Sequence, residues 1–175
     1  STESFVFNYM VSGATNAVAA PSSPSYTFNI GNNDEVPVVS TYDGNFALGT
    51  ANTTTSGQSA FRGNLAKNRI QYLFTQAELN AAGITGAGNI TSLSVNITTK
   101  ASTLPYNGFT ISLGNTTATT MGFGFPGASL TQVYSNNYSP TSGVNSFNFS
   151  TPFACDGTSN LLLNMCFDNG AATSL

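Results

Sequence analysis

Across residues 67–100 the spacing of apolar residues changes from a two-residue period to a helical one and back, and this switch constrains the fold more than any other feature of the sequence. In NRIQYLF, Ile70, Tyr72 and Phe74 alternate with Arg69, Gln71 and Leu73, the pattern of a strand with one apolar face. Thr75 with Glu78 then forms the signature of a capping box, and Phe74 and Leu79 stand where a hydrophobic staple would close around it. Residues 76–82 follow as a short helix, which Gly83 can end in the left-handed conformation. A helix of about two turns is marginal alone, so Leu79 and Ile84 must pack it onto something larger. After the GITGAGN turn, Leu93, Val95 and Ile97 alternate with Ser94, Asn96 and Thr98 as a second strand.

The remainder of the chain repeats only the strand pattern. Apolar residues alternate at Phe5, Phe7, Tyr9 and Val11; at Tyr26, Phe28 and Ile30; at Phe109, Ile111 and Leu113; and at Met121, Phe123 and Phe125, with Gly122 and Gly124 between them. Further strands are expected over 36–40, 130–134 and 161–167 and around Phe147 and Phe149, whereas 42–63 is polar, aperiodic and reads as a long loop. Short strands punctuated by Asn, Gly and Pro, with one short helix near residues 76–82, predict an all-β, two-sheet antiparallel sandwich of jelly-roll type. The expected organisation is an N-terminal strand over 1–12, a linker-like connection over 13–25 and a sandwich over 26–175. The first strand supports two readings. It is a first strand with a long surface connection, or Phe5, Phe7, Tyr9 and Val11 form an assembly strand donated to a neighbouring copy.

Composition narrows the function. Only 6% of the 175 residues are charged while 40% are hydrophobic and 11% aromatic, so the chain has a core to bury and takes its polarity from Asn, Thr, Ser and Gly. A net charge of −3 with 4 basic residues argues against nucleic-acid binding. No run approaches the roughly 18 apolar residues that would insert a helix in a membrane. Ser1 is read as the start of a mature or excised product, and the chain as one piece of a longer polypeptide.

Histidine is absent, which removes Ser-His and Cys-His nucleophile pairs and the usual general base. A two-carboxylate glycosidase would still be open to Glu3, Asp34, Glu35, Asp43, Glu78, Asp156 and Asp168, but Glu78 is explained by its cap and the others lie in turns or near a terminus. The chain is therefore read as non-enzymatic, with no cofactor required. Structural calcium is the one ion the acids suit, with Asp34, Glu35, Asp43, Asp156 and Asp168 as candidate ligands if their loops meet, against ordinary turn chemistry at Asp43-Gly44 and Asp156-Gly157. Cys155 and Cys166 are candidates for a disulfide, with two free buried thiols as the other reading. Tyr42, Tyr106, Tyr134 and Tyr138 stand in or beside polar stretches, where they would serve as stacking platforms for a glycan or close the edge of the core.

Two sets of residues carry a resemblance. Arg69, Gln71, Phe74, Thr75, Ala77, Glu78 and Leu79, followed by Gly88, Ile90, Thr91, Ser92 and Leu93, resemble the R-x-Q-x-L/I-Y/F-T-x-A/S-E-L/I and G-x-I-T-S-L/I motifs of a module recurrent in secreted and cell-surface proteins of Bacteroidetes. TFNIGNND upstream and PFACDGTSNLLLNMCFDNG downstream are similar to its flanks, the latter with Cys155 where the family commonly carries an aromatic. The resemblance implies type IX secretion and attachment at the cell surface. Together these readings lead to the expectation of an extracellular structural or adhesive module that self-associates, or joins neighbouring domains, by strand-edge pairing into a surface fibre. Its alternative is a carbohydrate-binding module using the loop tyrosines.

Overall fold

In the computed structural model, residues 3–11, 44–48, 60–61, 66–97, 105–121 and 129–170 are described. They form strands β1 (Glu3–Val11), β2 (Gly44–Leu48) and β3 (Lys67–Phe74), helix α1 (Gln76–Ala81), and strands β4 (Gly88–Ile97), β5 (Tyr106–Thr116), β6 (Thr131–Tyr138), β7 (Gly143–Cys155) and β8 (Asn160–Asp168). The first sheet runs β2-β1-β4-β7 and the second β3-β8-β5-β6, with every pairing antiparallel. The all-β two-sheet sandwich expected from periodicity is the observed fold.

The pairs are nested. β5 pairs with β6, β4 with β7 and β3 with β8, each pair enclosing the one before it in sequence and alternating between sheets. That wrapping is the arrangement of a jelly roll. Between the sheets lie Phe7, Ile90, Leu93, Val95, Phe109, Ile111, Leu113, Phe147, Leu161 and Leu163, all fully buried. Residues two apart along a strand supply most of them, as the pleat requires, while Ile90 and Leu93 are three apart across the register shift in β4.

α1 forms where the sequence placed it. The Thr75 side chain accepts from the Glu78 backbone N–H at 3.3 Å, and the Glu78 carboxylate accepts from the Thr75 N–H at 2.7 Å, so the capping box is complete. Leu79 is fully buried beneath it. The helix is closed by Gly83 at φ 101, whose N–H donates to Asn80, with Ile84 N–H donating to Leu79.

Two expectations fail in this region of the fold or fall outside it. The stretch 42–63 is not a continuous loop: Gly44–Leu48 pairs with β1, and Ala60 is buried with Phe61 stacked on Phe109 at 5.4 Å. A five-residue strand shows too few alternations to reveal a period, and partner pairing makes it a strand. The strands expected at Tyr26, Phe28 and Ile30, over 36–40 and at Phe123 and Phe125, and the connection over 13–25, lie outside the described residues; Met121 follows β5 as exposed, non-strand chain.

Candidate assembly site

β1 is an inner strand. Phe5, Val6, Phe7, Asn8 and Tyr9 stand opposite Leu48, Ala47, Phe46, Asn45 and Gly44 of β2, while Glu3–Val11 also runs along β4 from Ile97 to Gly88. A register shift at Asn8/Tyr9 sets Tyr9 against Ile90 and Val11 against Gly88. Phe5 and Phe7 enter the core, with Phe5 4.7 Å from the Tyr72 ring and Phe7 meeting Phe74 edge-on at 5.7 Å. Both edges of β1 are therefore paired, one by β2 and the other by β4.

The motif residues behind the family resemblance converge on one corner. Gln76 N–H donates to Asn160 Oδ1 at 2.6 Å, and Gln76 Nε2 donates to the Gly157 carbonyl at 2.9 Å, tying the start of α1 to the turn between β7 and β8. Gly157 holds φ 73, and a Cβ there would collide with the backbone of Gly86 and Ala87. Gly88 in turn stands opposite Cys155. Asn160 also donates to the Ala118 carbonyl at 2.7 Å. The T-x-A-E-L, G-x-I-T-S-L and D-G-T-S-N segments therefore meet as a structural corner, in which the Gln76 Oε1 is buried without a partner.

Three of the four candidate tyrosines are described, and all three pack at or in the core. Tyr106 begins β5, is 1% exposed and donates its O–H to the Phe61 carbonyl at 3.0 Å, so it is a core residue and offers no stacking face. Tyr134 and Tyr138 lie on β6, half-buried against Phe147 at 5.2 and 4.7 Å, and the Tyr138 O–H donates to Asn145 Oδ1. Burial raises both phenol pKa values, with Tyr134 adding to the rise at Tyr138. The rings of Tyr134 and Tyr138 close one margin of the core. Tyr42 lies outside the described residues.

No disulfide forms between Cys155 and Cys166. Cys155 is buried in the core, whereas Cys166 falls out of phase with Leu161, Leu163, Met165 and Phe167 and lies on the outer side of the second sheet, its Sγ 2.9 Å from Thr110 Oγ1. Burial pushes the Cys155 thiol up; the Gly157 N–H works against this and Asp156 with it.

Of the candidate calcium ligands, the two among the described residues, Asp156 and Asp168, do not meet. Asp156 precedes β8 and Asp168 ends it, so the whole strand, roughly 25 Å, separates them. The Asp156 carboxylate accepts from Thr158 N–H at 2.8 Å, Ser159 N–H at 2.7 Å and Ser159 Oγ at 2.6 Å. Asp168 accepts from Lys67 Nζ and from the Gly170 N–H, each at 2.8 Å. Among the described residues no three Cys, Asp or Glu side chains cluster; Asp34, Glu35 and Asp43 lie outside them.

Two features carried no sequence signal. An open groove of about 450 Å³ is lined by Asn115, Ser129, Thr131, Pro152, Phe153 and Ala154. It opens beside residues 149–152, which the β4–β7 register skips between Ile90–Phe153 and Ser92–Asn148. The other is the place of β1 between β2 and β4, which depends on a topology that no local pattern specifies.

No family model matches the chain, and no curated protein matches it. Among solved structures, the family 32 carbohydrate-binding module of C. perfringens NanJ in complex with galactose is 12% identical, over 59% of this chain and 84% of that one, with a TM-score of 0.23. A likeness that slight carries no argument about the fold or the ligand of this chain.

Proposed function

We propose that the chain is a non-catalytic extracellular module, a structural or adhesive subunit of a surface assembly whose copies join by pairing β-strands. The observation that carries this is the composition of two of the four edge strands. β6 and β7, the outermost strands at one margin of the two sheets, contain no Lys, Arg, Asp or Glu, and Val144 on β7 is 68% exposed. Natural sheets usually protect such edges with charge, and here only Pro152 and the register shifts of the β4–β7 and β5–β6 pairs blunt them. The charged side chains Lys67, Arg69, Glu78, Asp156 and Asp168 are each bonded within their own chain, which supports a role without acid–base chemistry. Type IX secretion to a Bacteroidetes cell surface belongs to the same reading and rests on the motif resemblance alone.

Electron microscopy of the natively secreted material, with sedimentation across a concentration series, tests the proposal. Filaments or sheets with a regular repeat are expected, and Val144→Lys should weaken them. Separate compact particles at every concentration would overturn it.

Carbohydrate binding is the second reading, and the groove is what favours it. Ser129 and Thr131 offer hydroxyls there, and the Asn115 carbonyl oxygen is buried without a partner while its amide donates to Ala154. With Tyr106 buried and Tyr134 and Tyr138 half-buried against Phe147, recognition would rest chiefly on the polar groups of the groove. A glycan array giving no signal sensitive to Asn115→Ala would dismiss it.

A further inference from the structure

The nested pairs β5/β6, β4/β7 and β3/β8 define where a fourth pair must lie. A strand continuing the alternation after β8 would cross to the first sheet and enter between β2 and β4. That place is taken by β1. The strand that completes the roll thus precedes all the others in sequence.

Its connection is out of proportion to its geometry. β1 and β2 are antiparallel neighbours with Tyr9 opposite Gly44, and a hairpin of about two to five residues joins such a pair. Here residues 12–43 stand between Val11 and Gly44, and the sequence reads their first part, 13–25, as linker-like. The linker-like part alone reaches up to about 40 Å when extended. The connection is therefore long enough for β1 to be seated in a different copy from its own β2.

We propose that β1 is exchanged between copies of this chain, with β1 of one copy occupying the slot between β2 and β4 of the next. The inference rests on the reading that copies associate by strand pairing, and it names the strand and the slot. Every contact is conserved in the exchange: Phe5 and Phe7 meet Tyr72 and Phe74, and both ladders form with the same register. Since donor and acceptor surfaces are different, each copy gives one strand and receives one. Such a head-to-tail joint closes into a ring or extends as a filament. Concentration and the reach of the linker-like 13–25 set the balance between the closed monomer and the exchanged form.

Val6 and Ser94 provide the test. They stand opposite each other in the β1–β4 register, both half-buried. Directly paired strand residues have Cα atoms about 4.5–5.5 Å apart, within disulfide range. In a Cys166→Ser background, Val6→Cys and Ser94→Cys chains are refolded together at high concentration and oxidised. Exchange predicts a two-chain product on a non-reducing gel, lost on reduction and absent from either variant alone. The Val6→Cys/Ser94→Cys double variant should give single-chain products when dilute and a ladder when concentrated. A double variant that links only within one chain at every concentration, with no two-chain product from the mixture, overturns the exchange. If assemblies then persist under the microscope, the strand-pairing reading stands without it; if no association is seen, both fall.

Discussion

Cys155 and Cys166 face different sides of the sandwich, the first packed in the core opposite Gly88 and the second outside the second sheet against Thr110. Two strands joined by a short turn place them in neighbouring stretches of sequence, yet the pleat separates them. A disulfide would require β8 to slip by one residue, which would turn Leu161, Leu163, Met165 and Phe167 outward. The protein should therefore contain two free thiols. Alkylation followed by mass measurement should label Cys166 in the folded state, and Cys155 only after unfolding. Reductant should leave the melting temperature unchanged. A mass two hydrogens short before reduction would refute this.

Gly157 is the most constrained position in the motif corner. Its φ of 73 disfavours any residue with a Cβ, and that Cβ would strike the backbone of Gly86 and Ala87, which cannot move aside as a side chain can. Gly157→Ala should cost several kcal/mol, about 3 or more, from strain and overpacking combined. Urea unfolding would measure the loss. Gly108→Ala is the control: φ is 58, but nothing lies within 4 Å of the new Cβ, so the cost should be about 1 kcal/mol.

Asn145 is 2% exposed, and its side chain is fully engaged: Oδ1 accepts from Tyr138 O–H and Thr141 N–H at 2.8 Å each, and Nδ2 donates to the Thr141 and Gly143 carbonyls. It holds the connection between β6 and β7. Asn145→Ala would strand several partners and should destabilise the fold by about 2–3 kcal/mol, whereas Tyr138→Phe, which removes one donor, should cost about 1 kcal/mol. Thermal unfolding of both single variants and the double variant would expose the coupling, since the tyrosine hydroxyl contributes little once Asn145 is gone.

The unit from β3 through α1 to β4 was legible because its signals are local. The capping box acts across one helical turn, and the alternation of Leu93, Val95 and Ile97 needs no knowledge of partners. Tyr106 was misplaced for a reason found in Gly108. The bulge between Tyr106 and Phe109 turns both side chains inward and breaks the two-residue period, while Pro105 and Asn107-Gly108 imitate a loop. The partner of the Tyr106 hydroxyl, Phe61, is far away in sequence. For the cysteines the signal was present in the phase of Cys166 against its apolar neighbours. The seat of β1 was not legible at all, because alternation shows that a strand has a buried face and says nothing about which strands flank it.

Acid should weaken the fold through two turn carboxylates. Burial acts against the Asp156 carboxylate, but hydrogen bonds from the Ser159 hydroxyl and N–H and from Thr158 outweigh it and hold its pKa below the ordinary aspartate range. The hydrogen bond from Lys67, with that from the Gly170 N–H, does the same for Asp168. Both groups bind protons more weakly folded than unfolded. Their stabilisation is thus complete above the unfolded aspartate pKa, about 3.9, and is lost as pH falls through the lower folded values. The Lys67–Asp168 pair is exposed and should contribute little, so Asp156, with its local bonds, should account for most of the dependence. Urea midpoints measured from pH 6 down to pH 2 should fall below about pH 4 for the natural chain. Asp156→Asn should be less stable at neutral pH and show a flatter profile, while Asp168→Asn should follow the natural chain closely. A profile for Asp156→Asn as steep as that of the natural chain would place the acid sensitivity elsewhere.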